Sequence, residues 1–174
     1  MVVGDQGSVS LTDEEFVRRI FDACYRRLVG QLYAICGDLA SAEDVVQEAF
    51  VRALDHARAF HRTDSPEAWL RRVALNIQRS RWRRMRTYAG LQHKLVEPAP
   101  PFEPSPDHAD MVRALAALPV GQREAIVLHH LVDLPVDEVA ASLGVPVGTV
   151  KTRLVRGRAA LAELLSAPDE ERHV

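Results

Sequence analysis

The chain of 174 residues contains little cysteine, because Cys24 and Cys36 are too few for a disulfide framework or a four-cysteine zinc site. It also lacks long apolar runs, since its charge-free stretches fall far short of the ~20 apolar residues that span a bilayer. The first fifteen residues have neither a basic start nor an apolar centre, so no signal peptide is expected there. These absences predict a soluble, cytoplasmic protein with reduced, buried thiols.

Catalytic motifs are absent as well. The sequence contains no HExxH, GxGxxG, P-loop or Ser/His/Asp pattern. Its seven histidines are scattered. The adjacent His129 and His130 would point about 100° apart on a helix, so they would not chelate one metal together as an i, i+4 pair would. We therefore expect no enzymatic activity, no cofactor and no metal.

The formal net charge of −2 hides an uneven distribution along the chain. Residues 71–94 carry eight basic and no acidic side chains, and residues 151–162 carry four basic and none acidic. The segment 95–110 carries four acids and no base. Two compact basic islands on an acidic background indicate aimed contacts with phosphate rather than a protein that coats nucleic acid indiscriminately.

Helical periodicity runs through the sequence, and no clean period-two alternation interrupts it, so we predict an all-α fold. Capping signals open helices at Thr12, Ser41 and Ser65, and Gly37 is a candidate C-cap. In the second of these helices the predicted buried face is Val45, Val46, Ala49, Phe50, Ala53 and Leu54. In the C-terminal part, one of four short patterns has as its apolar residues Ala125, Leu128, Leu131 and Val132.

A proline-rich acidic segment divides the chain, because five of its ten prolines fall within residues 97–106. No helix or central strand tolerates that density of proline. We predict a domain at 10–90, a linker at 91–107 and a second domain at 108–166. Each domain is near the size at which a lone core becomes marginal, so we expect both to dock on something larger.

The last two helical patterns have the layout of a helix-turn-helix. A short helix ends at Gly144, a turn of residues 145–147 follows, and a longer basic helix begins. Its apolar positions 150, 154, 157 and 161 are predicted to face the domain. Side chains suited to base edges and phosphates lie on or beside the opposite face: Thr149, Lys151, Thr152, Val155, Arg156 and Arg158.

A second basic face is predicted on the helix opened by Ser65, where five side chains spaced by 4, 3, 4 and 3 share one side: Arg72, Asn76, Arg79, Arg83 and Arg86. Arginines supply affinity for the nucleic-acid backbone, and an asparagine amide both donates to and accepts from base edges. An arginine-rich solvated face is the alternative.

The preceding helix has an acidic face made of Glu43, Asp44, Gln47 and Glu48. Periodicity alone favours the interpretation that this face is only exposed to solvent and binds no partner.

Together these residues resemble a bacterial sigma factor of the small, two-domain extracytoplasmic-function class (group IV). The resemblance covers residues 12–165 and is carried by four motifs in order: AEDVVQEAF at 42–50, WLRRVALN at 69–76, LP at 118–119 and GTVKTRLVRGR at 148–158. It implies sigma region 2 in the first domain, the helix-turn-helix of region 4 in the second, and a linker in place of the middle domain of larger sigma factors.

The resemblance also implies roles for residues. Asp44, Gln47 and Glu48 would bind the clamp helices of core RNA polymerase. The −10 element would be captured, with a flipped base, by Phe60, His61, Arg62, Thr63, Asp64 and Asn76, flanked by Arg72, Arg79 and Arg83. The −35 element would meet Thr149, Lys151, Thr152, Val155 and Arg156, with Arg153 and Arg158 on phosphate. The acidic linker would thread polymerase channels normally taken by nucleic acid, and an anti-sigma factor is an expected partner.

The function so implied is that of a promoter-specificity subunit, which recruits core polymerase to a two-part promoter and assists melting of the −10 region. Two other interpretations stay open from the residues. A helix-turn-helix repressor or activator acting alone would explain residues 137–163 but not the Asn76 face or the acidic helix. A helical adaptor that binds only protein would leave both basic islands unused.

Overall fold

The computed structural model describes residues 12–88 and 106–166, with side chains described for residues 12–85 and 110–166. These residues form helices joined by short turns, and none of them lies in a strand. The helices are α1 (Asp13–Cys36), α2 (Leu39–Asp55), α3 (Ala57–His61), α4 (Pro66–Tyr88), α5 (Pro106–Ala117), α6 (Val120–Ile126), α7 (Val136–Leu143) and α8 (Val147–Ser166), with a π turn at Val127–Leu131. The all-α prediction is confirmed, whereas residues 91–105 of the predicted linker lie outside the described part.

Local hydrogen bonds and backbone conformation set where α1 and α2 begin and where α1 ends. The Thr12 hydroxyl accepts from the Glu15 N–H at 3.2 Å, and the Glu15 carboxylate accepts from the Thr12 N–H at 2.8 Å, which is the predicted capping box. Gly37 ends α1 in the left-handed conformation, with φ of 78°. The predicted N-cap of α2, Ser41, is wrong by three residues. Asp38 is the cap, because its carboxylate accepts from the Ser41 N–H at 2.7 Å.

The core of the N-terminal half lies between α1, α2 and α4. Leucine, isoleucine and valine side chains from these helices are almost fully buried: Leu28, Leu32, Ile35, Val45, Val46, Leu70 and Leu75. Burial raises the pKa of Cys24 to about 11 and that of Cys36 to about 12, as expected for thiols in apolar surroundings. Leu54 departs from its predicted buried face, because its side chain is 49% exposed.

The C-terminal half packs α6 and α7 against α8. Gly157 allows the close approach of α6, since a Cβ built there would come within 3.0 Å of Ile126. The predicted helical pattern of Ala125, Leu128, Leu131 and Val132 is helical through Leu131, but from Val127 onward the helix is a π turn instead of an α-helix. After Ile126 the chain widens into the π turn, where the His129 ring contacts the Leu134 carbonyl at 2.8 Å. The widening turns Leu131 outward, so a side chain predicted to be buried is 50% exposed.

The two halves pack against each other, with α1 contacting α5, α6 and the π turn, and α4 contacting α7. The buried side chains of both halves form one continuous cluster. Each half therefore covers part of the small core of the other. The predicted docking of both halves on something larger stays a prediction. None of the described helices combines the length and apolar character needed to cross a membrane.

Phe60 is the side chain that closes the end of the first core, and its ring is 1% exposed. Its centroid lies 5.1 Å from that of Trp69 and 5.9 Å from that of Phe16. We predict that Phe60→Ala lowers the free energy of unfolding by about 3–5 kcal/mol, because it leaves a cavity. Urea unfolding followed by circular dichroism measures this. The exposed Leu54→Ala is the control and should change stability by less than about 0.5 kcal/mol. Equal effects of the two substitutions would contradict the packing described.

Candidate protein and nucleic-acid interfaces

The acidic face of α2 contains Asp44, Gln47 and Glu48. Asp44 and Gln47 are exposed, and the Gln47 amide donates weakly to the Tyr25 hydroxyl at 3.4 Å. Glu48 is half-buried and accepts from Arg52 at 2.7 Å and from Arg81 at 3.0 Å. Asp44 and Gln47 are therefore the members of this face most available to a partner.

The charge of Glu48 is stabilised by its neighbours. Its partial burial opposes ionisation, but the hydrogen bonds from Arg52 and Arg81 outweigh that effect and hold the pKa of Glu48 below its ordinary value. Because Arg81 comes from α4, this ion pair also ties the acidic face to the basic helix.

Sequence reasoning missed an apolar stripe beside this acidic face. Val51 is 54% exposed and Leu54 is 49% exposed, and with Gln47 they follow one another at spacings of four and three on α2. Exposed aliphatic side chains next to carboxylates suit a protein surface better than a phosphate backbone. The signal in the sequence was ambiguous, because Leu54 also fits the buried periodicity.

The basic face of α4 is confirmed only in part as an exposed surface. Arg72, Asn76 and Arg83 are exposed, whereas Arg79 is half-buried against Glu124 of α6. The side chain of Arg86 lies outside the described residues. Between the halves is an open pocket of about 340 Å³, and its lining residues are Asn76, Arg79, Trp82 and Arg83 of α4 and Val120 of α6. A polar amide thus faces a space large enough for a nucleobase.

The neighbouring Arg71 has a structural position. It is 6% exposed and donates to Gln31 at 3.1 Å and to Glu67 at 3.2 Å. Glu67 also accepts two hydrogen bonds from Arg27 of α1. This network fixes the first turn of α4 against α1, and it therefore orients the exposed arginines that follow.

The segment predicted to hold a base, residues 60–64, is not a loop throughout. Phe60 and His61 belong to α3, and Phe60 is in the core, so its ring is not presented to solvent. His61 stacks on Phe16 and its Nδ1 lies 2.7 Å from Asp13. Arg62 and Asp64 are exposed, and the Thr63 hydroxyl donates to the Ala59 carbonyl at 3.4 Å. Within this segment, Arg62 and Asp64 are the most accessible to a ligand.

The helix-turn-helix has the predicted geometry. Gly144 ends α7 with φ of 64°, and α8 begins three residues later. Val150, Leu154 and Gly157 are buried against the domain. The opposite side of α8 is solvent-exposed over one continuous face: Lys151, Thr152, Val155, Arg156 and Arg158.

Two of the predicted residues on α8 lie at the edge of that face. Thr149 and Arg153 are half-buried. The Arg153 guanidinium lies over Gly121, where a Cβ would come within 2.9 Å of it. Arg153 is thus placed beside the first turn of α6, where α8 packs against that helix.

Sequence reasoning also missed Arg123 and Glu124, which are 9% and 2% exposed. Glu124 lies four residues after Val120 and four before Leu128, on the apolar side of the predicted helix. A charged residue at such a position indicates a buried ion pair, so the sequence contained a signal for it. Its partner Arg79 is 45 residues away along the chain, which no local pattern reveals.

Among the described residues, no cluster of three or more histidine, cysteine, aspartate and glutamate side chains is placed to hold a metal ion.

The comparisons with known proteins agree with this arrangement of helices. Residues 20–87 match the family model "Sigma-70 region 2", and residues 108–161 match "Sigma-70, region 4". The chain is 32% identical to the ECF RNA polymerase sigma factor SigE of Mycolicibacterium smegmatis, over 97% of this chain and 66% of that protein. It is 30% identical to the ECF RNA polymerase sigma factor SigW of Bacillus subtilis, over 93% of this chain and 91% of that protein.

A solved structure is similar as well. The sigma factor RpoE from Bartonella quintana, in complex with the anti-sigma factor NepR, matches with a TM-score of 0.71 and 27% identity. The match covers 88% of this chain and 98% of that chain. It therefore extends over both halves of the present structure.

The Arg27–Glu67–Arg71 network generates a pH prediction. Hydrogen bonding from Arg27 is the main cause that holds the pKa of Glu67 below its ordinary value of 4.5, against the opposing effect of burial. A lowered folded-state pKa gives stability that is complete above pH 4.5 and is lost as the pH falls through the folded pKa. Glu67→Gln should therefore cost about 1–2 kcal/mol at pH 7 and progressively less below pH 4.5.

Urea unfolding of the wild type and the Glu67→Gln variant between pH 7 and pH 3 measures this difference. Glu163→Gln, which removes an exposed carboxylate on α8, is the control and should give a small difference at every pH. A difference for Glu67→Gln that stays constant down to pH 3 would show that its charge does not stabilise the fold.

Proposed function

Because the chain belongs to the sigma-70 family, with regions 2 and 4 in order and extracytoplasmic-function sigma factors among its relatives, we propose that it is a promoter-specificity subunit of RNA polymerase. It binds core polymerase, directs it to promoters with −35 and −10 elements, and assists melting of the −10 region. The observation that carries this function is the pair of basic faces on α4 and α8, one on each matched region, together with a separate acidic face on α2.

Core polymerase is proposed to bind the acidic face of α2. Asp44 and Gln47 make the first contacts, since they are exposed, and Glu48 contributes the charge that Arg52 and Arg81 stabilise. The exposed Val51 and Leu54 beside them support a protein partner at this surface, because aliphatic side chains bury favourably in protein interfaces.

The −10 element is proposed to bind along α4 and the segment before it. Arg72 and Arg83 hold the backbone of the strand, and Asn76 reads a base that has left the stack. Arg79 joins them only when it is released from Glu124. From the preceding segment, the exposed Arg62 and Asp64 replace Phe60 as the contributors to the pocket, because Phe60 is buried in the core.

The −35 element is proposed to bind the exposed face of α8 in the major groove. Arg156 and Lys151 reach guanine edges or phosphates, and Val155 contacts a thymine methyl. The Thr152 hydroxyl donates to the Gly148 carbonyl at 3.0 Å, so its oxygen is available to accept a hydrogen bond from a base. Val155 supports this assignment, because its side chain is 61% exposed in the middle of a basic face. Arg153 and Arg158 flank the face as phosphate contacts, and Thr149 lies at its start.

An anti-sigma factor is proposed as a second protein partner. The similar Bartonella quintana structure is a sigma factor in complex with one, and the match extends over both halves of this chain. A groove of about 720 Å³ lies between α1, the start of α2 and the π turn, and Leu131 and Val132 form part of its lining.

We propose a cytoplasmic location for the protein, and we propose that the chain catalyses no reaction of its own.

The function is tested by transcription in vitro with purified cognate core polymerase on a genomic DNA library, with sequencing of the 5′ ends of the transcripts. We expect a small set of start sites that share −35 and −10 sequences and that depend on this chain. A footprint on duplex DNA in the absence of polymerase, with no start sites in its presence, would instead identify a regulator that acts alone.

The acidic face gives a prediction about polymerase binding. Asp44→Lys combined with Gln47→Lys should weaken core binding at least about tenfold, or ~1.4 kcal/mol, because it reverses the charge of an exposed face. Both residues are exposed, so the helical content should be unchanged. Fluorescence anisotropy of the labelled chain titrated with core polymerase measures the affinity. Glu163→Lys, which reverses one exposed charge on α8, is the control. Unchanged affinity of the double variant would remove this face from the interface.

Asn76 gives a prediction about melting. Asn76→Ala should leave the closed complex nearly unchanged and lower the yield of open complex, because its contact forms only with an unstacked base. A template already melted across the −10 element should partly rescue initiation. Arg156→Ala provides the contrast, since it should cost ~1–3 kcal/mol in the closed complex itself. Permanganate reactivity of the −10 thymines on both templates measures melting, and equal melting by Asn76→Ala and wild type would leave Asn76 a structural role.

A further inference from the structure

Trp82 is an aromatic residue of α4 to which none of the interfaces above assigns a role. In the sequence it interrupts a basic run, with arginines on both sides: Arg79, Arg81, Arg83 and Arg84. Its side chain is half-buried and packs against the apolar core, so the ring is held in place while part of it stays accessible. Such a ring offers a flat apolar surface within a basic face.

The Trp82 ring lines the same open pocket as the amide of Asn76. Four of the five lining residues of this pocket of about 340 Å³ belong to α4: Asn76, Arg79, Trp82 and Arg83. Their backbone positions relative to one another are therefore set by a single helix. The pocket thus combines an amide, an aromatic ring and two guanidinium groups.

One face of the ring points away from the core of the N-terminal half. The Arg123 guanidinium of α6 lies over the Trp82 ring, 5.9 Å from its centroid, near the ~6 Å limit of a cation–π contact. Because a cation from the other half reaches this face, the helices of the N-terminal half do not cover it. The same electron-rich face stacks on planar bases, and a base that stacks there takes the place of the guanidinium.

An amide, an aromatic ring and guanidinium groups together are the side chains that bind single-stranded nucleic acid. Guanidinium groups attract the phosphate backbone, an amide pairs with a base edge, and an aromatic ring stacks on the face of a base. Stacking requires a base that has left the duplex, because its neighbours cover both of its faces inside the stack. Trp82 is therefore suited to a melted strand and not to a duplex.

The spacing along α4 indicates that Trp82 and Asn76 contact different bases. Trp82 follows Asn76 by six residues, which is ~9 Å along the helix axis. Nucleotides of a stacked strand follow one another every ~3.4 Å, so ~9 Å corresponds to about two or three nucleotides, and to fewer where the strand is extended.

We propose that Trp82 stacks on a second unpaired base of the −10 element, about one to three nucleotides from the base that Asn76 reads. The proposal rests on the proposed function, because it concerns the strand that is melted during initiation. Stacking uses the face that every base has, so Trp82 contributes affinity for the melted strand and little preference among the four bases.

The first test measures the lifetime of polymerase complexes containing this chain on a promoter template already melted across the −10 element, after challenge with heparin. Trp82→Leu keeps an apolar side chain but cannot stack, so it should shorten the lifetime about tenfold. Trp82→Phe should recover most of the lifetime, because its ring stacks. Met85→Leu, at an exposed position one turn further along α4, is the control and should leave the lifetime unchanged.

The second test distinguishes stacking from a structural role by replacing each nucleotide of the two melted strands in turn with an abasic one. At one position, removal of the base should shorten the wild-type lifetime about tenfold. At the same position the Trp82→Leu lifetime should not change, because the stacking contact is already absent. Asn76→Ala should be insensitive at a different position, about one to three nucleotides away.

Equal lifetimes of the Trp82→Leu and wild-type complexes on the intact template would overturn the proposal. A loss for Trp82→Leu that persists at every abasic position would also overturn it, because that result assigns Trp82 a structural role. Failure of the wild-type chain to form complexes that initiate would instead reject the proposed function, and the assignment of Trp82 with it.

Discussion

The ion pair between Arg79 and Glu124 joins two helical halves that are each too small to bury a large core alone. Around it, Arg123 binds the end of α1, and the apolar side chains of both halves merge into one cluster. Removing one partner of such a buried pair leaves the other charge poorly compensated. The contact between the halves therefore combines a buried ion pair with a shared apolar cluster.

On both basic helices, one side packs against the protein and the other side is exposed. On α4, the neighbouring residues Arg71 and Arg72 differ in this way: Arg71 is buried and donates to Gln31 of α1, whereas Arg72 is exposed to solvent. The Arg27–Glu67–Arg71 network holds the helix rigid, so that the exposed arginines and Asn76 are presented in a fixed register. On α8 the apolar side is buried against α6, and the basic side remains free along its first three turns.

Local physics made much of this predictable from sequence. The capping box at Thr12, the left-handed Gly37 and the arginine spacing of α4 depend on residues within one or two turns of each other. The errors arose where a distant or competing contact decides the outcome. Asp38, and not Ser41, caps α2. The π turn leaves Leu131 half exposed. The Phe60 ring packs against Phe16 of α1 and Trp69 of α4. The pairing of Arg79 with Glu124 joins residues 45 positions apart, so only the folded structure reveals it.

The central claim is the proposed function: the two matched regions, which pack together in this structure, bind two promoter elements at once and therefore separate on core polymerase. Fluorescence resonance energy transfer between one label near Arg62 in region 2 and one near Glu163 on α8 tests it on the unmodified backbone. We predict a single short distance in the free chain and a distance longer by tens of ångströms once core polymerase is bound, because elements centred near −35 and −10 lie about 25 base pairs, or ~85 Å, apart. A distance that is already long in the free chain, or one that does not change on binding core polymerase, would contradict the account.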